Sequence, residues 1–140
     1  MGYAAGSENL TGQRNTFIGS LSALNLSSGN QNTFIGRESG RYISSGDALT
    51  AASNCTYIGY STRASVNSVL NEIAIGHSAI GQGSNSVVLG NDLIAKTILK
   101  GQVIMGSFAS APTGIEGAIY YDSTTKKHYG FDGTTWNALY

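Results

Sequence analysis

The sequence predicts an all-β fold: a repeat-built β-roll or β-solenoid over residues 1–108, a linker over 109–116 and a small antiparallel sheet over 117–140. Three observations carry that prediction. A short strand motif closed by glycine recurs along most of the chain, polar glycine-bearing groups separate its copies, and aromatic residues gather beyond the single proline, Pro112.

Repeats are sought first because a missed period misassigns the whole fold. Asn15-Thr16-Phe17-Ile18-Gly19 returns intact as Asn32-Thr33-Phe34-Ile35-Gly36. Looser copies are Cys55-Thr56-Tyr57-Ile58-Gly59, Glu72-Ile73-Ala74-Ile75-Gly76, Ser86-Val87-Val88-Leu89-Gly90 and Gln102-Val103-Ile104-Met105-Gly106. Gly2 is expected to close one more. The closing glycines Gly2, Gly19, Gly36, Gly59, Gly76, Gly90 and Gly106 are unevenly spaced, farthest apart between Gly36 and Gly59 and closest between Gly76 and Gly90. An elastic period suits a coil whose outer loops accept insertions, such as the one at residues 41–52. Each copy reads as a strand of β-branched and aromatic residues, with glycine at the corner where backbones approach closely. Gly12, Ser28-Gly29-Asn30, Ser45-Gly46-Asp47 and Gly81-Gln82-Gly83 are turn groups between the strands. One coil is therefore expected to run strand, corner, second short strand, corner. Residues 92–100 are too β-branched for a persuasive helix.

The strand faces predict association. Ile73-Ala74-Ile75 and Val87-Val88-Leu89 are apolar at every position, and Phe17-Ile18, Phe34-Ile35 and Tyr57-Ile58 put apolar residues on both sides. A strand with one wet face alternates, whereas one apolar on both faces is buried on both. One face points into the coil, and a neighbouring identical chain is the simplest cover for the other. Phe17, Ile18, Phe34, Ile35, Tyr57, Ile58, Ile73, Ile75, Val87, Leu89 and Ile104 are the expected core and subunit-contact positions. Cyclic closure follows naturally when such rods pack side by side.

After Pro112, three strand-like pieces (118–122, 128–131 and 136–140) are joined by turns at 123–127 and 132–135, the latter containing Asp132-Gly133. They predict a three-stranded meander, too small to stand without help from neighbouring chains or the roll. From Gly117 onward the chain carries Tyr120, Tyr121, Tyr129, Phe131, Trp136 and Tyr140, close to half of all its aromatics. Aromatics with polar edges suit binding surfaces, sugar faces included. The candidate contact residues are Tyr120, Tyr121, Lys126, Lys127, His128, Tyr129, Trp136 and Tyr140. A core role competes at Tyr120, Tyr129, Phe131 and Trp136, and an exposed turn competes at Lys126, Lys127 and His128. Tyr121 lies on the strand face opposite Tyr120 and is the better surface residue.

Composition narrows the function classes. Charged residues make up 11% of the chain, against roughly a quarter in an average soluble domain, and eight basic side chains balance eight acidic ones. No basic stripe draws nucleic acid, and no apolar run approaches the roughly 20 residues of a membrane helix. His77 and His128 lie in no metal-binding spacing, so neither a metal nor a cofactor is expected. Glu116, Asp122 and Asp132 are read as turn and linker residues rather than a glycosidase pair. Cys55 reads as a small buried residue.

At this point the residues resemble known families. Gly2-Tyr3-Ala4-Ala5-Gly6 through Thr11-Gly12-Gln13-Arg14-Asn15-Thr16-Phe17-Ile18-Gly19 looks like the repeats of bacteriophage tail fibres. Ala74-Ile75-Gly76-His77-Ser78-Ala79 and Ser86-Val87-Val88-Leu89-Gly90 are similar to the left-handed β-roll heads of trimeric autotransporter adhesins. Residues 117–140 resemble a terminal module of phage tail proteins. The resemblance implies an intertwined homotrimeric β-roll shaft with a β tip, continuing from an upstream fibre shaft. It further implies a place on the virion or an extracellular particle, and a host cell-surface glycan or protein receptor as partner. Absence of an anchoring barrel and stalk favours a fibre over an adhesin head. Host attachment without catalysis is the expected role. A structural shaft and trimerisation cap of a fibre or contractile injection particle, or a bacterial trimeric adhesin head, is the alternative, and a polysaccharide depolymerase a lesser one.

Overall fold

A computed structural model describes residues 2–140, which form two compact units, one ending at Lys96 and the other Thr97–Tyr140. The first unit is a β-solenoid. Its strands are β1 (Thr16–Ile18), β2 (Thr33–Ile35), β3 (Ala52–Ser53), β4 (Thr56–Ile58), β5 (Val69–Leu70), β6 (Ile73–Ile75) and β7 (Val87–Leu89). β1, β2, β4, β6 and β7 stack in that order as one parallel sheet. Parallel strands need crossover connections, and here each crossover is one turn of the coil rather than a helix.

The register aligns the repeat with itself. Phe17, Phe34, Tyr57, Ala74 and Val88 form one column, and Ile18, Ile35, Ile58, Ile75 and Leu89 form the next. Because side chains alternate along a strand, the first column fills the coil and the second faces out. Phe34 and Tyr57 are wholly buried with ring centroids 4.6 Å apart, and Phe17 stands 5.5 Å from Phe34. Leu26, Leu49, Val69 and several alanines complete this core.

The asparagine that opens the motif has a specific task. Asn32 Nδ2 donates to Asn15 Oδ1 (3.1 Å) and to the Ala52 carbonyl (2.8 Å), while its own Oδ1 accepts from the Cys55 amide (3.0 Å). An amide both donates and accepts, so one side chain satisfies two backbone groups of the following turn and ties them to the asparagine of the preceding one. The closing glycine answers a contact. Gly59 has φ +135°, and a Cβ there would lie 2.5 Å from the Gly76 carbonyl oxygen of the next turn. A second corner, just before each strand, is left-handed without glycine: Arg14, Gln31, Asn54, Asn71 and Asn85 have φ between 54° and 64°. Asparagine holds three of these five positions, as its tolerance of this region predicts.

The second short strand of each turn is realised as a ladder only between β3 and β5. Elsewhere single bridges, Ser28 with Ala51, Ile43 with Ala64 and Arg63 with Ile80, hold the turns together. The insertion that lengthens the turn between Gly36 and Gly59 is a small hairpin. Tyr42 bridges Ala48, and Leu49 returns to the core with its amide bonded to the Arg41 carbonyl.

The sixth strand copy departs from expectation. Residues 103–105 form no strand, and Ile104 is 89% exposed rather than a core position. The stretch before it, residues 94–102, forms neither strand nor bridge, so the copy is left unpaired. Accordingly the compact units divide after Lys96, and residues 107–108 belong to the second unit rather than to the shaft.

That unit is a four-stranded sheet in the order β11-β10-β9-β8, from β8 (Ser107–Phe108), β9 (Ile119–Asp122), β10 (Lys127–Phe131) and β11 (Trp136–Ala138). The antiparallel meander of β9, β10 and β11 is as the sequence predicts, and β8 adds a parallel edge to β9. Both turns are closed by aspartate. The amides of Thr124 and Thr125 donate to Asp122 Oδ1, and those of Thr134 and Thr135 donate to Asp132 Oδ1.

Candidate functional site

Two surfaces stand out, one on each unit. On the solenoid, the outward column is apolar and uncovered by its own chain. Ile18 is 47% exposed, Ile75 36%, Leu89 55% and Val87 63%, with Ile35, Ile58 and Ile73 half-buried between them. These residues lie in parallel register, so they make a continuous ridge rather than scattered contacts. The sequence expects both faces to be dry; within one chain only the inner one is.

Beside this ridge runs a stripe that sequence reading overlooked. It is formed by the residues following the closing glycines. The Arg37 guanidinium lies over the Tyr60 ring at 5.7 Å, and Tyr60 stacks on His77 at 5.4 Å. The position after each glycine was available as a cue, but its residue type changes from copy to copy.

On the second unit the aromatic residues divide between two faces, as strand alternation requires. Tyr120 is 5% exposed, stacked on Tyr129 at 5.4 Å and met edge-on by Trp136 at 4.6 Å and Phe108 at 6.1 Å. Trp136 Nε1 donates to the Pro112 carbonyl at 3.1 Å, and the Phe131 ring packs over Gly114. Tyr120, Tyr129 and Trp136 thus build the small core of this sheet. The opposite face gathers Tyr121, His128 and Tyr140. Tyr121 and His128 have centroids 5.1 Å apart, His128 and Tyr140 5.8 Å, and His128 Nδ1 shares a 2.7 Å hydrogen bond with the Tyr140 hydroxyl. Ile119 and Leu139 flank them, about half exposed. Lys126 and Lys127 are exposed at the β9–β10 turn, with Lys126 in the left-handed region, and Lys127 opposes Asp122 across the strands.

Two of this unit's three acidic groups, Asp122 and Asp132, are spent on its turns. Backbone amides of Thr135 and Thr134, with the Asn137 side chain, hold the Asp132 carboxyl down to about 2, and those of Thr125 and Thr124 lower Asp122. Among the described residues no three His, Cys, Asp or Glu side chains come together as a metal site would require, and no helix is long and apolar enough to cross a membrane.

Another feature missed in the sequence is Glu72, a fully buried carboxylate in the column of Asn15, Asn32 and Cys55. It accepts from the Tyr57 hydroxyl (2.6 Å), the Ser65 amide (3.2 Å) and the Gly83 amide (2.8 Å). Gly81 leaves the carboxylate its room, since a Cβ there would strike it. Cys55 is buried beside it, and desolvation raises its thiol above the usual range, as suits an inert packing residue.

Comparison with protein-family models, with curated proteins and with solved structures gave no match.

Proposed function

We propose that this chain is a non-catalytic attachment module of a phage tail fibre or a related extracellular spike, working as a homotrimer that continues an upstream shaft. The observation that carries this reading is the outward ridge of Ile18, Ile35, Ile58, Ile75 and Leu89. A monomer gains nothing from keeping such a column in water, whereas copies packed around a common axis bury it. The attachment role rests on the Tyr121–His128–Tyr140 face, which offers rigid aromatic area with hydroxyl and imidazole edges to a host-surface glycan or protein.

Multi-angle light scattering of the full chain tests the assembly, with a three-chain mass expected. Binding to host cells or an immobilised glycan panel tests the face, by comparing the parent with a Tyr121→Ser, Tyr140→Ser variant of the same oligomeric mass. A variant that binds equally well refutes the assignment to that face. Ile119 and Leu139, apolar and half exposed there, favour a second reading in which the face is a trimerisation cap and the chain a structural shaft. In that case the Tyr121→Ser, Tyr140→Ser variant loses mass instead of binding.

A further inference from the structure

The solenoid sheet ends at β7, whose outer edge pairs with no other strand among the described residues. Downstream lies a segment with the opposite deficiency. From Ala95 to Met105 the chain forms no strand or bridge, and no turn or loop backbone hydrogen bond joins it to the other described residues. Along this stretch and just before it, Leu93, Ile94, Ile98, Leu99, Val103 and Ile104 are between 53% and 89% exposed. Aliphatic side chains uncovered in one stretch are what docking on a strand edge would bury, and an open edge is a ready template for such a strand.

The sequence of that stretch fits the edge. Gln102-Val103-Ile104-Met105-Gly106 repeats the pattern of Ser86-Val87-Val88-Leu89-Gly90 position for position. Just ahead of Gln102 stands Gly101 with φ +97°, in the place where Asn71 and Asn85 turn the chain into β6 and β7 with positive φ. In the common register Val103 would lie beside Val87, Ile104 beside Val88 and Met105 beside Leu89. Ile104 would then extend the inward column of Phe17, Phe34, Tyr57, Ala74 and Val88 and close the open end of the coil. Open ends of repeat arrays require such a cap.

We infer that Val103–Met105 of one copy pairs in parallel on the β7 edge of a neighbouring copy and caps that neighbour's coil. The inference rests on the assembly proposed above and specifies one of its contacts. A second copy is the occupant because it presents the matching repeat at the same concentration as the edge. The two surfaces also match in chemistry: the segment's aliphatic side chains are exposed, and so are Val87 and Leu89 on the edge that would receive them.

The test uses two full-length chains carrying different tags, one with Val87→Cys and one with Val103→Cys. Both positions face solvent within the chain, so the fold is spared, and a parallel neighbour lies within disulfide reach. Co-expression followed by mild oxidation is expected to give a disulfide-linked heterodimer at least tenfold above a Val66→Cys and Val103→Cys control pair. The double variant V87C/V103C detects pairing within one chain. A heterodimer at control level, or closure only within single chains, overturns the inference. Light scattering of the same samples separates the two failures. An oligomer without the cross-link refutes this pairing alone, whereas a monomer refutes the assembly as well.

Discussion

Replacing Glu72 with alanine is expected to cost the solenoid about 4 kcal/mol, a large part of the roughly 5–15 kcal/mol by which domains are stable. The magnitude follows from the donors left behind. Tyr57 Oη loses a 2.6 Å bond to a carboxylate in a site that excludes water, and bonds to charged groups contribute about 1.5–3 kcal/mol. The amides of Ser65 and Gly83 lose their acceptor too, at about 1 kcal/mol each, because both residues are half-buried and solvent partly compensates them. Tyr57→Phe removes only the first bond and should cost about 2 kcal/mol. Glu72→Gln, which keeps an oxygen for Gly83 but offers an N–H₂ group where Ser65 also donates, should lie between the two. Urea unfolding followed by far-ultraviolet circular dichroism measures the series, and amide exchange at Gly83 reads the local contact. A Glu72→Ala variant within about 1 kcal/mol of the parent, or one less affected than Tyr57→Phe, would show that the carboxylate does not organise this turn.

Other consequences are equally direct. Ile58→Asp should leave the dichroism spectrum of the coil unchanged, since Ile58 faces outward, but weaken assembly by more than about 100-fold in a concentration series followed by light scattering, because the charge would be buried unpaired. Gln31→Gly should raise stability by about 0.5–1 kcal/mol in thermal unfolding, because Gln31 is exposed with φ 60° and glycine adopts that conformation without strain. The Asp132 carboxyl, held at about 2 in the fold against 3.8 ordinarily, lends its turn stability that is fully present above pH ~4 and lost as pH falls through 2. A carbon-13 titration should place its midpoint near 2, with the Thr134 and Thr135 amide shifts moving in step. Lengthening the Ser44–Asp47 tip by a short Gly-Ser insert should change the unfolding midpoint little, because that hairpin already lies outside the period.

Much of the fold was legible because the solenoid writes its register into the sequence. Each Thr-Phe-Ile-Gly copy aligns with its neighbours, so the column of Phe17, Phe34 and Tyr57 could be read from residue order alone. Alternation likewise separated Tyr120 from Tyr121, and hence the core of the second unit from its outer face. The rest was hidden for physical reasons. The motif at 102–106 has the composition of a strand, but pairing depends on whether the intervening chain can return to the edge, which composition does not encode. Glu72 was invisible because a carboxylate in a repeat ordinarily marks a solvated corner. Only the short turn bearing Gly81 and Gly83 folds inward far enough to enclose it. The Arg37–Tyr60–His77 stripe escaped because its residues share a position but not a type.

The inward column also changes in bulk along the coil, from three aromatic rings to Ala74 and then Val88, while the closing glycines draw closest together at the last turn, from Gly76 to Gly90. A stack in which each layer touches only those above and below acquires a direction from this taper. Its broad, ring-filled layers are where order should begin and persist longest, and its narrow end is where fraying should start when the molecule is heated or pulled. A solenoid built this way would give at one preferred end, leaving the wider layers seated.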